Sequence, residues 1–584
     1  MKKIGIGYEK YKEFIDRDMY YVDKTLLIRD IINKGGETTL ITRPRRFGKT
    51  LALSMLRTFF EIDYDLDGNI VDNRRYFEGK KIMEAGGEVI SMMGQYPVIK
   101  LSLKSAKQPD FYRAFMILRD DIIGEFDRHL YLKGSDKLGQ NDIDTFNELL
   151  NGRMNWNKKA EGFKDKAEKE AAFREEVGRY ATALKTLSEL LKKHHGRNVI
   201  ILLDEYDVPL ENAYYCGFYD EMTGFIRSLF ESALKTNDAL ERAVVTGCLR
   251  ISKESVFTGL NNLEVNSIRG RKFGEYFGFT QEETEDMLSD YELSVNTDIV
   301  RDWYDGYIFG DAEVYNPWSV IKYVSDHAGA PERLPEPYWS NTSSNSIIRD
   351  LVEKADDDTR DELERLIEGG VIEKMIHEDI TYDDIYKSKD NLWNFLFYTG
   401  YMRKVSERSV NDDIFVTMRI PNREIRSIYR NQISEWFDKR VHSADRSEFH
   451  KAVLERDTDK IEAFLNDLLE KSISTFDSSE SFYHGFLLSL LYGVPRYSAR
   501  SNREEGNGRP DIVLYPLRPK DPAFIFEIKV RKKFNQMQDG LDEAFSQIKE
   551  KKYEEGILED GFAGSVSFGV CFCRKSCIAG VMEQ

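Results

Sequence analysis

Cysteine is scarce in this chain, with five residues in 584. That is too few, and too scattered, for a disulfide framework. Cys571, Cys573 and Cys577 gather near the end. Cys571 and Cys573 fall in an alternating β pattern (Val566 to Phe572), and no fourth ligand has a zinc-like spacing, so packed thiols are expected there. Long apolar runs are also missing. No stretch approaches about 18 apolar residues, the length of a membrane-spanning helix. The opening Met1-Lys2-Lys3-Ile4-Gly5 has no apolar signal core. A cytoplasmic protein with no membrane partner is therefore the expectation. Positive charge is in deficit, with 84 Lys+Arg against 102 Asp+Glu and a net charge of −18. Such a surface does not bind nucleic acid non-specifically as a whole. The deficit is uneven: from Ser481 onward, 15 Lys+Arg face 14 Asp+Glu. That region is not repelled from a polyanion.

What is present supports folded cores: hydrophobic residues make up 41% and aromatics 12%. The length suits about three or four domains. The apolar run Thr38-Thr39-Leu40-Ile41 leads into Arg43-Pro44-Arg45-Arg46-Phe47-Gly48-Lys49-Thr50 and then a helical apolar pattern (Leu51, Leu53, Met55, Leu56, Phe59, Phe60). A strand, tight loop and helix of this kind wrap a phosphate in backbone N–H groups. Lys49 would reach the β- and γ-phosphates of ATP, and Thr50 would ligate Mg²⁺. The first glycine usual in such loops is replaced by Arg43, so a plain strand–helix turn is the competing reading. A second segment, Asn198-Val-Ile-Ile-Leu-Leu-Asp204-Glu205, describes a buried parallel strand with acids at its C-terminal edge, where ligands of open α/β sheets bind. Asp204 would hold Mg²⁺ through water and Glu205 would orient or deprotonate the attacking water. The strand Glu241 to Gly247 follows. Thr246 at its end can sense the γ-phosphate or that water, and Arg250 can supply positive charge to the transferring phosphoryl group.

Between these elements, residues 105–197 read as a charged helical insertion, with Lys158 to Lys193 as a solvated helix pair. Aromatic turn segments at Trp303 to Tyr307 and Tyr315 to Ser319 read as packed turns. A helix (Leu392 to Tyr398), a hairpin (Met402 to Met418) and a helix (Asn422 to Phe437) suit a winged-helix-like module. Its turn is acidic (Asp412, Asp413), which favours an interaction role over DNA reading.

The C-terminal stretch carries a second constellation. A helix from Glu480 to Leu491 leads to strands beginning near Pro495, at Asp511 and at Ala523. Period two puts Glu527 and Lys529 on one strand face. If the Asp511 and Ala523 strands pair as a hairpin, Asp511 lies beside Glu527. Adjacent carboxylates are costly without a cation between them, and oxygen ligands favour Mg²⁺ or Mn²⁺. Lys529 can position water and stabilise the pentavalent phosphate. Glu480 can add a carboxylate, and Gln547 and Tyr553 are further polar candidates. A β-hairpin with an incidental acid and a surface Glu–Lys pair is the competing reading.

The two constellations together resemble a family of prokaryotic proteins with an AAA-like ATPase domain and a C-terminal nuclease domain of the PD-(D/E)XK superfamily. The resemblance rests on Tyr21-Val22-Asp23-Lys24-Thr25, Arg43 to Thr50, Leu203 to Pro209, and Thr246-Gly247 through Arg250 to Lys253. It continues with Tyr315 to Ser319, Tyr483 to Phe486, Ser501 to Glu504, Gly508 to Asp511 and Glu527-Ile528-Lys529. It spans nearly the whole chain, and Arg-Pro-Arg-Arg-Phe-Gly-Lys-Thr is that family's usual loop. The resemblance implies nucleotide contact along Arg43, Arg45, Arg46, Gly48, Lys49 and Thr50. It implies ATPase roles for Asp204 and Glu205 and nuclease roles for Asp511, Glu527 and Lys529.

The expected architecture is multidomain α/β. An AAA-like P-loop ATPase domain occupies 1–275, a helical and winged-helix-like middle 276–470, and a restriction-endonuclease-like α/β domain 471–584. The expected function is ATP-regulated, Mg²⁺-dependent cleavage of nucleic acid, DNA before RNA, in defence against invading DNA or in processing damaged DNA, with homo-oligomerisation among the expected partnerships. The alternatives are a nucleotide-dependent switch whose nuclease-like domain binds without cutting, and a purely ATP-driven remodeller.

Overall fold

A computed structural model describes the whole chain apart from residues 66–67, 250–255, 258–259, 340–345, 355, 378–381, 386, 444, 471–479, 502–508 and 584. Contacts divide it into two units. One unit comprises Met1–Ser343 and Ile372–Ile425, the other Ser344–Val371 and Arg426–Gln584. The chain leaves the first unit and returns to it, which a linear reading of composition does not reveal.

The first unit is built on five parallel strands: β1 (Thr38–Thr42), β2 (Val98–Ser102), β3 (Val199–Asp204), β4 (Leu240–Gly247) and β5 (Leu263–Asn266). Their order across the sheet is β2-β3-β4-β1-β5. Every residue of β1 and β3 is buried, as expected of a parallel sheet covered on both faces. β4 lies between the strand that feeds the Gly-Lys-Thr loop and the strand that ends in Asp204. In register, Ile41 pairs with Thr246 and Leu203 with Val245. The C-terminal ends of β1, β3 and β4 therefore meet at one sheet edge. Helix α1 (Lys49–Phe60) starts there, immediately after the loop.

The insertion between β2 and β3 holds the helices α2 (Phe111–Arg128), α3 (Lys166–Ala181) and α4 (Ala183–His195). The expectation of a solvated pair fails for α4, which packs on β3 and fully buries Leu184, Leu187 and Leu191. Spacings of three and four residues put these leucines on one helical face. Dense Lys and Glu on the other face hid that stripe.

Further along, the aromatic turns form a hairpin of β6 (Tyr307–Phe309) and β7 (Ala312–Val314), followed by helix α5 (Pro317–His327). Asn316 caps α5 by accepting the N–H groups of Trp318 and Ser319 at 3.0 and 3.4 Å, and Pro317 opens its first turn. A three-stranded antiparallel sheet follows, with β8 (Ile372–Met375), β9 (Arg403–Val410) and β10 (Asp413–Arg419) in the order β8-β10-β9. Helix α6 (Lys389–Tyr398) precedes its hairpin. Asn411 and Asp412 take φ of 48° and 72° at the hairpin turn. Two successive positive φ values match the twist of a tight two-residue hairpin, and Asn and Asp tolerate them best.

The second unit contains a five-stranded sheet in sequential order: β11 (Tyr497–Ser501), β12 (Ile512–Pro516), β13 (Ala523–Val530), β14 (Ser565–Cys573) and β15 (Ser576–Glu583). All neighbours are antiparallel except the central parallel pair β13 and β14. Helix α7 (Glu480–Leu491) contacts β11, β12 and β13, and α8 (Met537–Lys551) contacts β13, β14 and β15. Helix α9 (Tyr553–Glu559) follows α8. Cys571 and Cys573 pack with Met537 and Leu541.

Leu187→Ala removes a fully buried side chain and lowers the unfolding free energy by about 2–5 kcal/mol. Chemical denaturation checks this, and no change in midpoint would restore a solvated α4.

Candidate active sites

The loop after β1 is held from several sides. Phe47 packs edge-on against Tyr307 and Phe309, with ring centroids 4.9 and 5.1 Å away. Gly400 leaves room for Pro44, since a Cβ there would stand 2.8 Å from the proline ring. The aromatic turns of residues 303–319 thus buttress this loop. Arg46 takes a φ of 73°, is exposed, and lays its guanidinium over the Trp318 ring at 4.4 Å. Arg45 forms an ion pair with Glu211.

Arg43 is the residue that departs from a phosphate-binding role. Its side chain is fully buried and donates to the carbonyls of Thr42 (2.8 Å), Asn266 (2.9 Å) and Lys272 (3.3 Å). Burial pulls its pKa down to about 9. It faces Phe277 and Phe309 at 5.6 and 5.1 Å. Its guanidinium ties the loop to β5 and is turned away from the open side of the loop. The bulky side chain at the usual glycine position is accommodated by being folded into the core.

Lys49 is buried and donates to the carbonyls of Arg43 and Pro44, both at 2.8 Å. Its ammonium is 3.7 Å from the Cys248 sulfur. Gly48 has a φ of 81°, and nothing lies within 4 Å of where its Cβ would point. Gly48 is exposed at the start of α1, and Thr50 beside it is half-buried. Backbone N–H groups, a lysine and open space suit a phosphate chain.

Across the sheet edge, Asp204 is 1% exposed and accepts a 2.6 Å hydrogen bond from the Thr246 hydroxyl. Glu205 adopts a φ of 50°, outside the strand conformation. Burial, reinforced by the Asp204 charge, raises its pKa, and Lys49 and Lys104 oppose the shift. Asp207 also sits at this edge. Its carboxylate accepts the N–H groups of Cys248 (2.7 Å) and Leu249 (3.1 Å), and Tyr206 donates its hydroxyl to the Leu249 carbonyl at 2.6 Å. The Asp204-Glu205-Tyr206-Asp207 run thus also organises the chain leaving β4. The apolar strand followed by two separated acids is its signal in the sequence. Arg250 lies outside the described residues.

In the second unit, Ile512 pairs with Phe526, which sets Asp511 beside Glu527. Asp511 accepts the Ile528 N–H at 2.7 Å. Glu527 is 1% exposed; Oε1 accepts from Lys529 at 3.0 Å, and Oε2 is buried with no hydrogen-bond partner among the described residues. Burial and then the Asp511 charge push its pKa up to about 7, against the pull of Lys529. Glu480, exposed at the start of α7, adds to that push. Lys529 also donates to Gln547 on α8 at 2.8 Å, Gln547 donates to the Tyr553 hydroxyl at 3.3 Å, and Tyr553 donates to the Arg509 carbonyl at 3.4 Å. His484 lies one helical turn after Glu480. Its Nε2 lies 2.9 Å from the Asp511 carbonyl and 3.0 Å from Ser501 Oγ.

Among the described residues, no three His, Cys, Asp or Glu side chains gather closely enough to cage a metal ion. The donor set at Asp511 and Glu527 nevertheless fits Mg²⁺. The orphaned Glu527 oxygen is an oxygen ligand without a partner among the described residues, and Mg²⁺ binds through one or two carboxylates while keeping several waters.

Comparison with known proteins assigns a domain family to each of these regions. Residues 5–257 match the family described as predicted AAA-ATPase, and residues 478–581 match the PD-(D/E)XK nuclease superfamily. The chain carries a predicted AAA-ATPase domain and, C-terminal to it, a PD-(D/E)XK nuclease superfamily domain. It is 25% identical over 434 residues to the "Uncharacterized protein in vnfD 5'region" of Azotobacter chroococcum mcd 1, covering 73% of this chain and 69% of that protein. A Walker-type ATPase of Pyrococcus abyssi is similar at 14% identity with a TM-score of 0.34, over 70% of this chain and 94% of that one.

A Cβ at Gly247 would stand 2.5 Å from the Tyr206 ring and 2.9 Å from Asp207 Oδ1. Gly247→Ala is expected to cost about 1–3 kcal/mol in stability and to weaken nucleotide binding by displacing Asp207. A thermal melt with and without ATP measures both, and an unchanged melting temperature would contradict the close packing.

Proposed function

We propose that the chain binds and hydrolyses ATP, that its C-terminal domain is a Mg²⁺-dependent phosphodiesterase acting on nucleic acid, DNA before RNA, and that nucleotide state regulates cleavage. The observation that carries the nuclease reading is the buried Glu527 oxygen beside Asp511, unpartnered among the described residues, with Lys529 on the same strand face. Two acids held this close, one of them with its pKa raised toward neutrality, form a site that a divalent cation relieves.

A bound divalent cation supplies an activated water at neutral pH and offsets charge on the phosphate. Asp511 and Glu527 would hold it. Lys529, fixed between Glu527 and Gln547, presents positive charge where the phosphate becomes pentavalent. Tyr553 restrains Gln547 and so keeps Lys529 from wandering. In the ATPase domain, Lys49, which donates to the Arg43 and Pro44 carbonyls, would turn to the β- and γ-phosphate oxygens of bound ATP. Asp204, oriented by Thr246, and Thr50 would hold Mg²⁺. Glu205, with a raised pKa, is suited to accept a proton from the attacking water.

The test is a panel of plasmid, linear duplex, single-stranded DNA and RNA, with Mg²⁺ or Mn²⁺, with and without ATP. Cleavage is expected to fall at least about 100-fold in Lys529→Ala and to lose its ATP response in Lys49→Ala. No cleavage of any substrate, with ATP still hydrolysed, would overturn the nuclease reading in favour of a switch or remodeller. Cation binding gives a second check. With the Glu527 pKa at about 7, protons compete with Mg²⁺ below that pH. Mg²⁺ affinity, read by calorimetry, should rise as pH increases toward 7 and level off above it, and Glu527→Gln should remove that dependence.

A further inference from the structure

The sheet edge beyond Lys529 carries features that the proposed chemistry does not use. β13 ends at Val530 and continues as Arg531-Lys532-Lys533-Phe534, and the parallel strand β14 ends beside it and continues as Arg574-Lys575. The Arg531 N–H donates to the Phe572 carbonyl at 2.8 Å, which binds the two strand ends together. Lys532, Lys533 and Arg574 are exposed and make no ion pair among the described residues, whereas Arg531 is paired with Glu543 and Lys575 with Glu364. Phe534, a large apolar ring next to these cations, is 59% exposed. The edge is closely packed from below. A Cβ at Gly540 would stand 2.5 Å from the Cys571 sulfur and 3.2 Å from Arg531 Cγ, so glycine lets α8 dock closely under it.

We propose that Lys532, Lys533, Arg574 and Phe534 form a binding ledge for a single-stranded segment of polynucleotide leading to Glu527 and Lys529. This rests on the nuclease reading above. Charge complementarity selects a polyanion in a chain whose overall charge of −18 repels one. The exposed ring adds selectivity, because an unpaired base offers a face for stacking and a paired base inside a duplex does not. Reach is suitable as well. Lys532, Lys533 and Phe534 follow Lys529 by three to five residues, at most about 18 Å of extended backbone, and Arg574 follows by three residues Cys571, which pairs with Lys529.

The experiment is fluorescence anisotropy with the full-length protein in EDTA, so that nothing is cut. The probes are labelled single-stranded DNA, single-stranded RNA and duplex DNA of equal length. Phe534→Ala should weaken single-strand binding about tenfold and leave duplex binding little changed, and Phe534→Trp should restore it. Paired Lys532→Gln and Lys533→Gln substitutions should reduce the magnitude of the salt dependence for single strands by about 1.4 in log–log slope. All four residues are surface features, and thermal melts of the variants confirm that the fold is kept. Single-strand binding that ignores these substitutions would overturn the ledge and leave the nuclease reading standing. Equal loss on the duplex after Phe534→Ala would overturn the single-strand assignment. Failure of the native protein to bind any of the probes would overturn the nuclease reading together with the ledge. A preference between the DNA and RNA strands names the polynucleotide.

Discussion

The pairing of β4 with β1 on one side and β3 on the other is the constraint on which the first unit depends. Parallel pairing in that register brings three strand ends to one edge, and each end delivers a different group. The β1 end delivers the loop that seats Lys49, the β3 end Asp204 and Glu205, and the β4 end Thr246, which hydrogen-bonds Asp204 across the sheet. Residues about 160 positions apart in sequence become neighbours because backbone hydrogen bonds allow few alternatives once the strands are buried. Shifting β4 by one residue would turn its buried side chains to the other face and separate Thr246 from Asp204.

The second unit solves a comparable problem with an antiparallel pair. The β12–β13 register sets Asp511 against Glu527, and burial leaves one Glu527 oxygen without a partner among the described residues. An unsatisfied buried polar atom is expensive, and here it sits beside a second acid and a lysine. The protein holds Lys529 through Gln547 and Tyr553 and holds the Asp511 backbone through His484. The side chains that aim the site come from α7, α8 and α9, packed against the strands that carry the acids.

The loop between β1 and α1 shows how an unusual residue is absorbed. Arg43 stands where a glycine is customary, yet its side chain is folded into the core. Its guanidinium donates to three carbonyls and lies over aromatic faces, while its buried Nε has no hydrogen-bond partner among the described residues. Phe47 locks into the β6–β7 hairpin in the same way. The Arg-Pro-Arg-Arg-Phe segment therefore couples the nucleotide loop to elements some 260 residues downstream in the sequence, all within one unit.

The strands β1, β3, β4, β12 and β13 were legible from sequence because buried strands are written as continuous or alternating apolar runs. The Gly-Lys-Thr and Asp-Glu groups were legible because they terminate those runs. The hairpin of β9 and β10 was legible from its Asn-Asp turn. Other features were not. The buried face of α4 was masked by the charge on its opposite side. The return of the chain to the first unit at Ile372, the inward turn of Arg43, and the contacts of Asp207 and His484 follow from long-range packing, which leaves no local pattern. The sequence by itself determined which residue types stand at the ends of the buried strands, since hydrophobic periodicity and loop chemistry are local properties. Only the tertiary structure decided which of those ends meet, because strand order and register are settled by mutual burial among segments far apart in the chain.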